Sequence, residues 1–169
     1  MKFVVDGMLG KLTRWLRILG HDVKYSTKLD DIELIDIAKK EKRILLTRDL
    51  DLYKQAIAKG IEAYYSEGQT EQEKLTELAC RFDIDLDVDM TKSRCPKCNT
   101  RVKRVSKERI TGKVEPNTFV HYDEFWECPK CGQIYWQGAH WTRIRKTLEN
   151  ARDSKKMRKN KVCFCSKSA

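Results

Sequence analysis

Lys2-Phe3-Val4-Val5-Asp6-Gly7-Met8-Leu9-Gly10-Lys11-Leu12 places an apolar run ahead of an aspartate, a glycine and the start of a helical pattern. A strand buried on both faces of a parallel sheet reads as such an unbroken run. Met8, Leu9, Leu12, Trp15, Leu16 and Leu19 then recur at helical spacing until Gly20 stops them. The same order returns downstream. Asp22–Tyr25 reads as a short strand, and Asp30 with Glu33 forms a capping-box signature ahead of the stripe Ile32, Ile35 and Ala38. Arg43–Thr47 is a third strand, followed by a helix over Leu52–Lys59 that Gly60 ends. Ile61–Tyr65 is a fourth strand, and Thr70–Phe82 a helix with Leu75, Leu78, Ala79 and Phe82 inward. Four strand–helix units with short connections predict an α/β fold around a parallel sheet. Ile84–Met90 alternates apolar and acidic residues and reads either as an edge strand or as an acidic linker.

Open parallel sheets bind ligands beyond the carboxyl ends of their strands. Asp6 stands at the end of the first strand, and Asp49 and Asp51 follow the third. Asp30 or Asp31 heads the second helix. Each has a plainer role as a helix cap, most of all Asp30. Together they read as a carboxylate cluster, which repels itself unless a cation such as Mg²⁺ or Mn²⁺ sits among its members. Such centres act most often on phosphates. Thr47 is placed to hydrogen-bond a carboxylate or a substrate. Lys11, Arg14 and Arg17 share one broad face of the first helix, and Arg48 lies beside Asp49. These four basic residues are the candidate contacts to a phosphate backbone.

Cys95-Pro96-Lys97-Cys98 and Cys128-Pro129-Lys130-Cys131 are two C-x₂-C knuckles separated by 29 residues. Cys95, Cys98, Cys128 and Cys131 give the four thiolates of a closed tetrahedral Zn²⁺ site, structural rather than catalytic. The module around them begins near Arg94, with β-like pieces at 101–105 and 118–127, and ends near Trp141. His140–Ala151 reads as a helix. The aromatic run Tyr135-Trp136-Gln137-Gly138-Ala139-His140-Trp141 either stacks on bases or, more plainly, packs the module against the first domain. Cys80 reads as core. Cys163 and Cys165 read as thiols without a fixed role. His21, His121 and His140 show no metal-ligand spacing.

The division expected is therefore 1–91 for the first domain, 92–151 for a zinc ribbon with its helix, and 152–169 for a basic tail disordered when alone. Charge divides the same way. Residues 1–91 carry 15 Lys/Arg against 18 Asp/Glu, whereas residues 92–169 carry 20 against 7, a net of +13 within a chain total of +10. One-sided basicity of this kind is a nucleic-acid footprint. No run of about 18 apolar residues exists, so no membrane span is expected. Met1 leads almost directly into a strand without the pattern of a secretory leader, and a cytoplasmic protein is expected. Met8 stands where haloacid-dehalogenase phosphatases need a second aspartate, and no Walker loop or Ser/His/Asp pattern appears.

Phe3-Val4-Val5-Asp6-Gly7-Met8-Leu9-Gly10-Lys11-Leu12 with Trp15-Leu16-Arg17, then Asp31-Ile32-Glu33-Leu34-Ile35 and Leu45-Leu46-Thr47-Arg48-Asp49, resembles the Mut-seven C-terminal RNase domain family of PIN-like nucleases. Cys128-Pro129-Lys130-Cys131-Gly132 with Tyr135-Trp136, Gly138 and His140-Trp141 is similar to the end of the zinc ribbon that family appends. The resemblance covers roughly residues 2–148. It implies a PIN-like three-layer sandwich with a parallel sheet, followed by a small zinc ribbon and the basic tail. It further implies a metal-dependent endoribonuclease with Asp6, Asp31 and Asp49 as the acidic set and Asp51 as the fourth, holding Mg²⁺ or Mn²⁺. Where the usual pattern often has glutamate in second position, this chain has Asp31. RNA is the implied partner, with ribosomal RNA, transfer RNA and the ribosome as candidates. A non-catalytic RNA-binding protein, acting through the ribbon and tail, is the competing expectation.

Overall fold

The computed structural model describes residues 1–165, with side chains through Arg158. Four parallel strands, β1 (Lys2–Val5), β2 (Asp22–Tyr25), β3 (Ile44–Thr47) and β4 (Ala63–Tyr65), pair in the order β2-β1-β3-β4. The chain leaves β1 for one neighbour and returns to pair on its other side, so the order reverses between β1 and β3. Helices α1 (Gly10–Ile18), α2 (Asp31–Glu41), α3 (Leu50–Ala58) and α4 (Glu71–Phe82) follow the successive strands, a short 3₁₀ turn at Gly7–Leu9 leading into α1. Asp30 and Thr70 close capping boxes with Glu33 and Glu73, which fixes where α2 and α4 begin.

Alternation along each strand sends successive side chains to opposite faces. Phe3, Val5, Val23 and Leu46 meet Leu12 and Leu16 of α1 and Leu75 and Leu78 of α4. Val4 and Leu45 meet Leu34, Ile35 and Ala38 of α2 with Leu52 and Ala56 of α3. Each fully buried side chain of this size contributes about 1.5–3 kcal/mol, so the two clusters together hold the sheet between its helices. At the amino ends of the strands the buried Arg43 guanidinium donates to Phe3 O, Asp22 O and the Asp22 carboxylate, at 3.2, 3.1 and 3.0 Å.

Ile84–Met90 forms no strand. Ile84 and Leu86 enter the first cluster, and Asp85 turns back to accept the N–H of Asp87. The alternation was real, but it serves burial without a ladder. A second, antiparallel sheet follows, β5 (Lys103–Val105), β6 (Phe125–Glu127) and β7 (Ile134–Tyr135), in that order. The stretch expected as one strand over 118–127 is instead helix α5 (Pro116–His121) followed by β6. Pro116 takes the first helical position, where its missing N–H costs nothing.

Helix α6 runs from Ala139 to Cys165, past the end expected at residue 151 and through most of the segment read as a disordered tail. Two observations account for this. Leu148 and Ala151 are buried in the same cluster as Phe3 and Leu75. Arg152 then pairs with Asp87, and Lys155 reaches Asp83 at 2.9 Å. Acidic groups far away in sequence thus balance a stretch that looks unpartnered when read alone. The side chains of Cys163 and Cys165, and residues 166–169, lie outside the described residues. Among the described residues no helix is long and apolar enough to cross a membrane.

Candidate functional site

The carboxyl ends of β1 and β3 are neighbours, and Asp6 and Asp49 lie just beyond them, at the crevice where the strand order reverses. Buried Thr47 links them. Its hydroxyl donates to Asp6 Oδ2 at 2.9 Å and accepts the Asp49 N–H at 2.8 Å. Asp49 is the N-cap of α3, with Oδ1 accepting the amides of Asp51 and Leu52 at 2.8 and 3.0 Å. Asp6 caps the 3₁₀ turn, its Oδ1 accepting from Met8 N at 3.4 Å.

Asp31 opens α2, and its carboxyl is held above its ordinary range by partial desolvation and then by the charges of Asp49, Asp6 and Asp30. Asp31 thus lies within electrostatic reach of Asp49, Asp6 and Asp30. Asp51 stands apart from this net. It lends Asp49 its backbone N–H while its own carboxylate lies 4.0 Å from Lys54 Nζ, 87% exposed. Asp30 is the cap of α2, as its capping-box signature indicates. The three positions also sit at helix starts, where backbone dipoles favour negative charge. Their oxygens do not close into a tight nest. Among the described residues, only the four cysteines form a group whose donor atoms all lie within 4.8 Å of one another.

Beside Asp6 opens a cleft of about 950 Å³, bounded by Gly7, Met8, Lys11 and Arg14 on one side and by Gln69, Pro96 and Lys97 on others. Lys11 and Arg14 are exposed there. Gly10 shapes its wall, because a Cβ at that position would lie 2.5 Å from the Tyr25 hydroxyl, which donates to Gly7 O at 3.2 Å. Arg48 is half-buried and donates to Gln69 Oε1 at 3.2 Å, on the rim between β3 and the start of α4.

Arg17 is a correction. Expected on the phosphate face, its side chain is buried, donating to Val23 O at 3.2 and 2.8 Å, to Pro96 O at 2.8 Å and to Lys97 O at 3.3 Å. It ties the first zinc knuckle to α1 and β2. Asn99, which carried no signal in the sequence, completes that seam. Its Oδ1 accepts Val23 N at 3.0 Å and its Nδ2 donates to Asp22 Oδ1 at 2.7 Å.

The two knuckles repeat one backbone pattern. Cys95 N donates to Thr100 O and Asn99 N to Cys95 O, just as Cys128 N donates to Gln133 O and Gly132 N to Cys128 O. Asn99 and Gly132 both take the left-handed region, at φ 68 and 71°. The turn at Gly132 thus has a counterpart at Asn99, a residue that tolerates this conformation. Cys95 and Cys131 sulfurs lie 3.6 Å apart and Cys98 and Cys128 sulfurs 3.3 Å apart. A tetrahedron with Zn–S bonds of about 2.3 Å needs edges of about 3.8 Å, so the set is close to closing on zinc. Burial drives the Cys128 thiol up to about 12, whereas hydrogen bonds from Thr100 and neighbouring thiols overcome burial and draw Cys98 down to about 6. Two thiolates this close ionise together only around a cation. The Tyr135 hydroxyl lies 3.0 Å from Cys95 Sγ and braces the site from outside.

A family model described as Mut7-C RNAse domain matches residues 1–148, covering the sheet, the cleft, both knuckles and the first part of α6. No curated protein and no solved structure matches the chain.

Proposed function

The chain belongs to the Mut7-C RNAse domain family, and from that premise we propose that it is a PIN-like endoribonuclease that hydrolyses RNA phosphodiesters at a site built on Asp6, Asp31 and Asp49. The observation that carries this reading is the juxtaposition at the strand ends. A buried threonine joins two aspartates, a third carboxyl is raised by partial desolvation and then by their charge, and a basic cleft opens alongside.

Asp6, Asp31 and Asp49 would hold Mg²⁺ or Mn²⁺, with Asp51 near enough in sequence to join through water. When bound, the ion supplies an activated water and neutralises charge gathering on the phosphate. Thr47 holds Asp6 in orientation. Lys11 and Arg14 grip phosphates along the strand, and Arg48 guards the rim. Cys95, Cys98, Cys128 and Cys131 would hold one structural Zn²⁺, keeping the ribbon seated as the far wall of the cleft. Paired C-x₂-C knuckles that hold a metal rather than disulfides suit a reducing compartment, in keeping with a cytoplasmic protein acting on ribosomal or transfer RNA, or at the ribosome.

The open spacing of the carboxylates favours a second reading, an RNA-binding scaffold without cleavage. Single-turnover cleavage of a structured RNA with Mn²⁺ separates the two, with EDTA and Asp6→Asn as controls. The nuclease reading expects cleavage that both controls reduce by orders of magnitude while RNA binding survives. Equal cleavage by wild type and Asp6→Asn rejects the site. Retained binding without cleavage by either supports the scaffold.

A further inference from the structure

A smaller cavity of about 240 Å³ lies where α1, the ribbon and the start of α6 meet. Trp136, His140, Trp141 and Ile144 form much of its wall. The imidazole of His140 stands edge-on to both indoles, with ring centroids 6.2 Å from Trp136 and 6.5 Å from Trp141. Among the described residues no acidic one lines it, and Arg14 and Arg94 do. The cavity is therefore apolar and aromatic inside and cationic at its edge. It also shares Arg14, Pro96 and Tyr135 with the 950 Å³ cleft, so the two spaces adjoin.

We infer that this cavity receives one unpaired nucleobase of the RNA whose phosphates lie against Lys11 and Arg14. The inference rests on the RNA reading above and adds to it a preference for single-stranded or bulged substrate. Three observations select this occupant. The volume falls below the about 300–1,000 Å³ of ordinary small-molecule pockets, a size suited to one flat ring system. Aromatic walls offer every base a stacking partner without reading its identity. Arg14 and Arg94 give the cavity a cationic edge, which suits a base joined to a phosphate backbone. In a perfect duplex the bases remain stacked inside and cannot enter.

The experiment uses the full zinc-loaded chain and three probes: a short single-stranded RNA, the same RNA carrying one abasic ribose at each position in turn, and a perfect duplex. Binding is read by fluorescence anisotropy, with Ile144→Phe as a variant that fills the half-buried cavity wall. The expected result is one position at which base removal weakens wild-type binding roughly tenfold, the scale of a lost base–aromatic stack. Ile144→Phe should weaken the intact RNA by a similar factor, and should add nothing for the RNA abasic at that position or for the duplex. A flat abasic series with RNA binding intact overturns the proposal whatever the variant does, and leaves the cavity to an apolar peptide or another occupant. Equal weakening of every probe by Ile144→Phe, alongside a flat series, marks that residue as structural and also overturns it. Failure of the wild type to bind any probe overturns the RNA reading itself.

Discussion

The Thr47 hydroxyl donates to Asp6 Oδ2 across 2.9 Å and joins the ends of two adjacent parallel strands. The same oxygen accepts the Asp49 amide at 2.8 Å, so one buried side chain orients both neighbouring aspartate positions. Thr47→Val keeps the shape and removes both bonds. A net cost of about 1–3 kcal/mol in stability is expected for two lost hydrogen bonds, at about 0.5–1.5 kcal/mol each. Single-turnover cleavage should fall at least roughly tenfold, because small misplacements of a reacting group are expensive. Thr47→Ser should restore most of it. Unchanged cleavage by Thr47→Val would remove the threonine from the site.

Arg17 and Lys11 stand six residues apart on one helix and should behave oppositely. Arg17→Met strips four contacts from backbone carbonyls at the seam between the knuckle and the sheet. A loss of about 2–4 kcal/mol is expected, since hydrogen bonds to a buried charge are worth more than neutral ones. Lys11 is exposed at the cleft. Lys11→Ala should leave the urea midpoint in place and lower the slope of log affinity against log salt by about 0.7 on single-stranded RNA. A changed slope with Arg17→Met under folding conditions would return that arginine to the RNA face.

The difference between those two residues shows where sequence is legible. Apolar runs such as Phe3-Val4-Val5 and Ile44-Leu45-Leu46 announce buried strands, and the capping box at Asp30 and Glu33 announces a helix start, because the cause lies within a few residues. The paired knuckles were equally plain. Arg17 reads as exposed because what buries it arrives with Pro96 and Lys97, far along the chain. The length of α6 was hidden for the same reason, since Arg152 and Lys155 find Asp87 and Asp83 only in three dimensions. At the carboxylates, spacing alone gave Asp49 and Asp51 equal standing. The N-cap geometry separates them, seating the Asp49 carboxylate on the first amides of α3 and leaving the Asp51 carboxylate beside Lys54.

Removing zinc should unseat the ribbon without melting the sheet. Structural zinc sites carry about 10–16 kcal/mol of binding free energy at neutral pH, whereas α6 is anchored independently by Leu148 and Ala151 in the first cluster. Elemental analysis should find about one zinc per chain. On chelation, far-UV helical signal should persist while amide exchange accelerates at Val23, whose N–H is donated to Asn99 Oδ1. Slow exchange at Val23 in metal-free protein would show that the seam does not depend on the knuckle.

His21 predicts an acid sensitivity. Its ring packs edge-on against Phe3 at 5.7 Å. Burial, followed by the positive charges of the Met1 amine and Arg94, pushes its pKa down to about 4. The unfolded chain binds that proton near about 6.5. Protonation therefore favours the unfolded state. The stability held by neutral His21 is complete above about pH 6.5 and drains as pH falls toward 4. At pH 5 the loss is roughly 2 kcal/mol by linkage. Urea melts of wild type and His21→Leu at pH 7 and pH 5 isolate this term, because protonation of the zinc thiolates and surface carboxylates acts on both proteins alike. Wild type should lose about 2 kcal/mol more than the variant between the two pH values. Equal losses would mean that the folded protein accommodates a charged imidazole beneath Phe3.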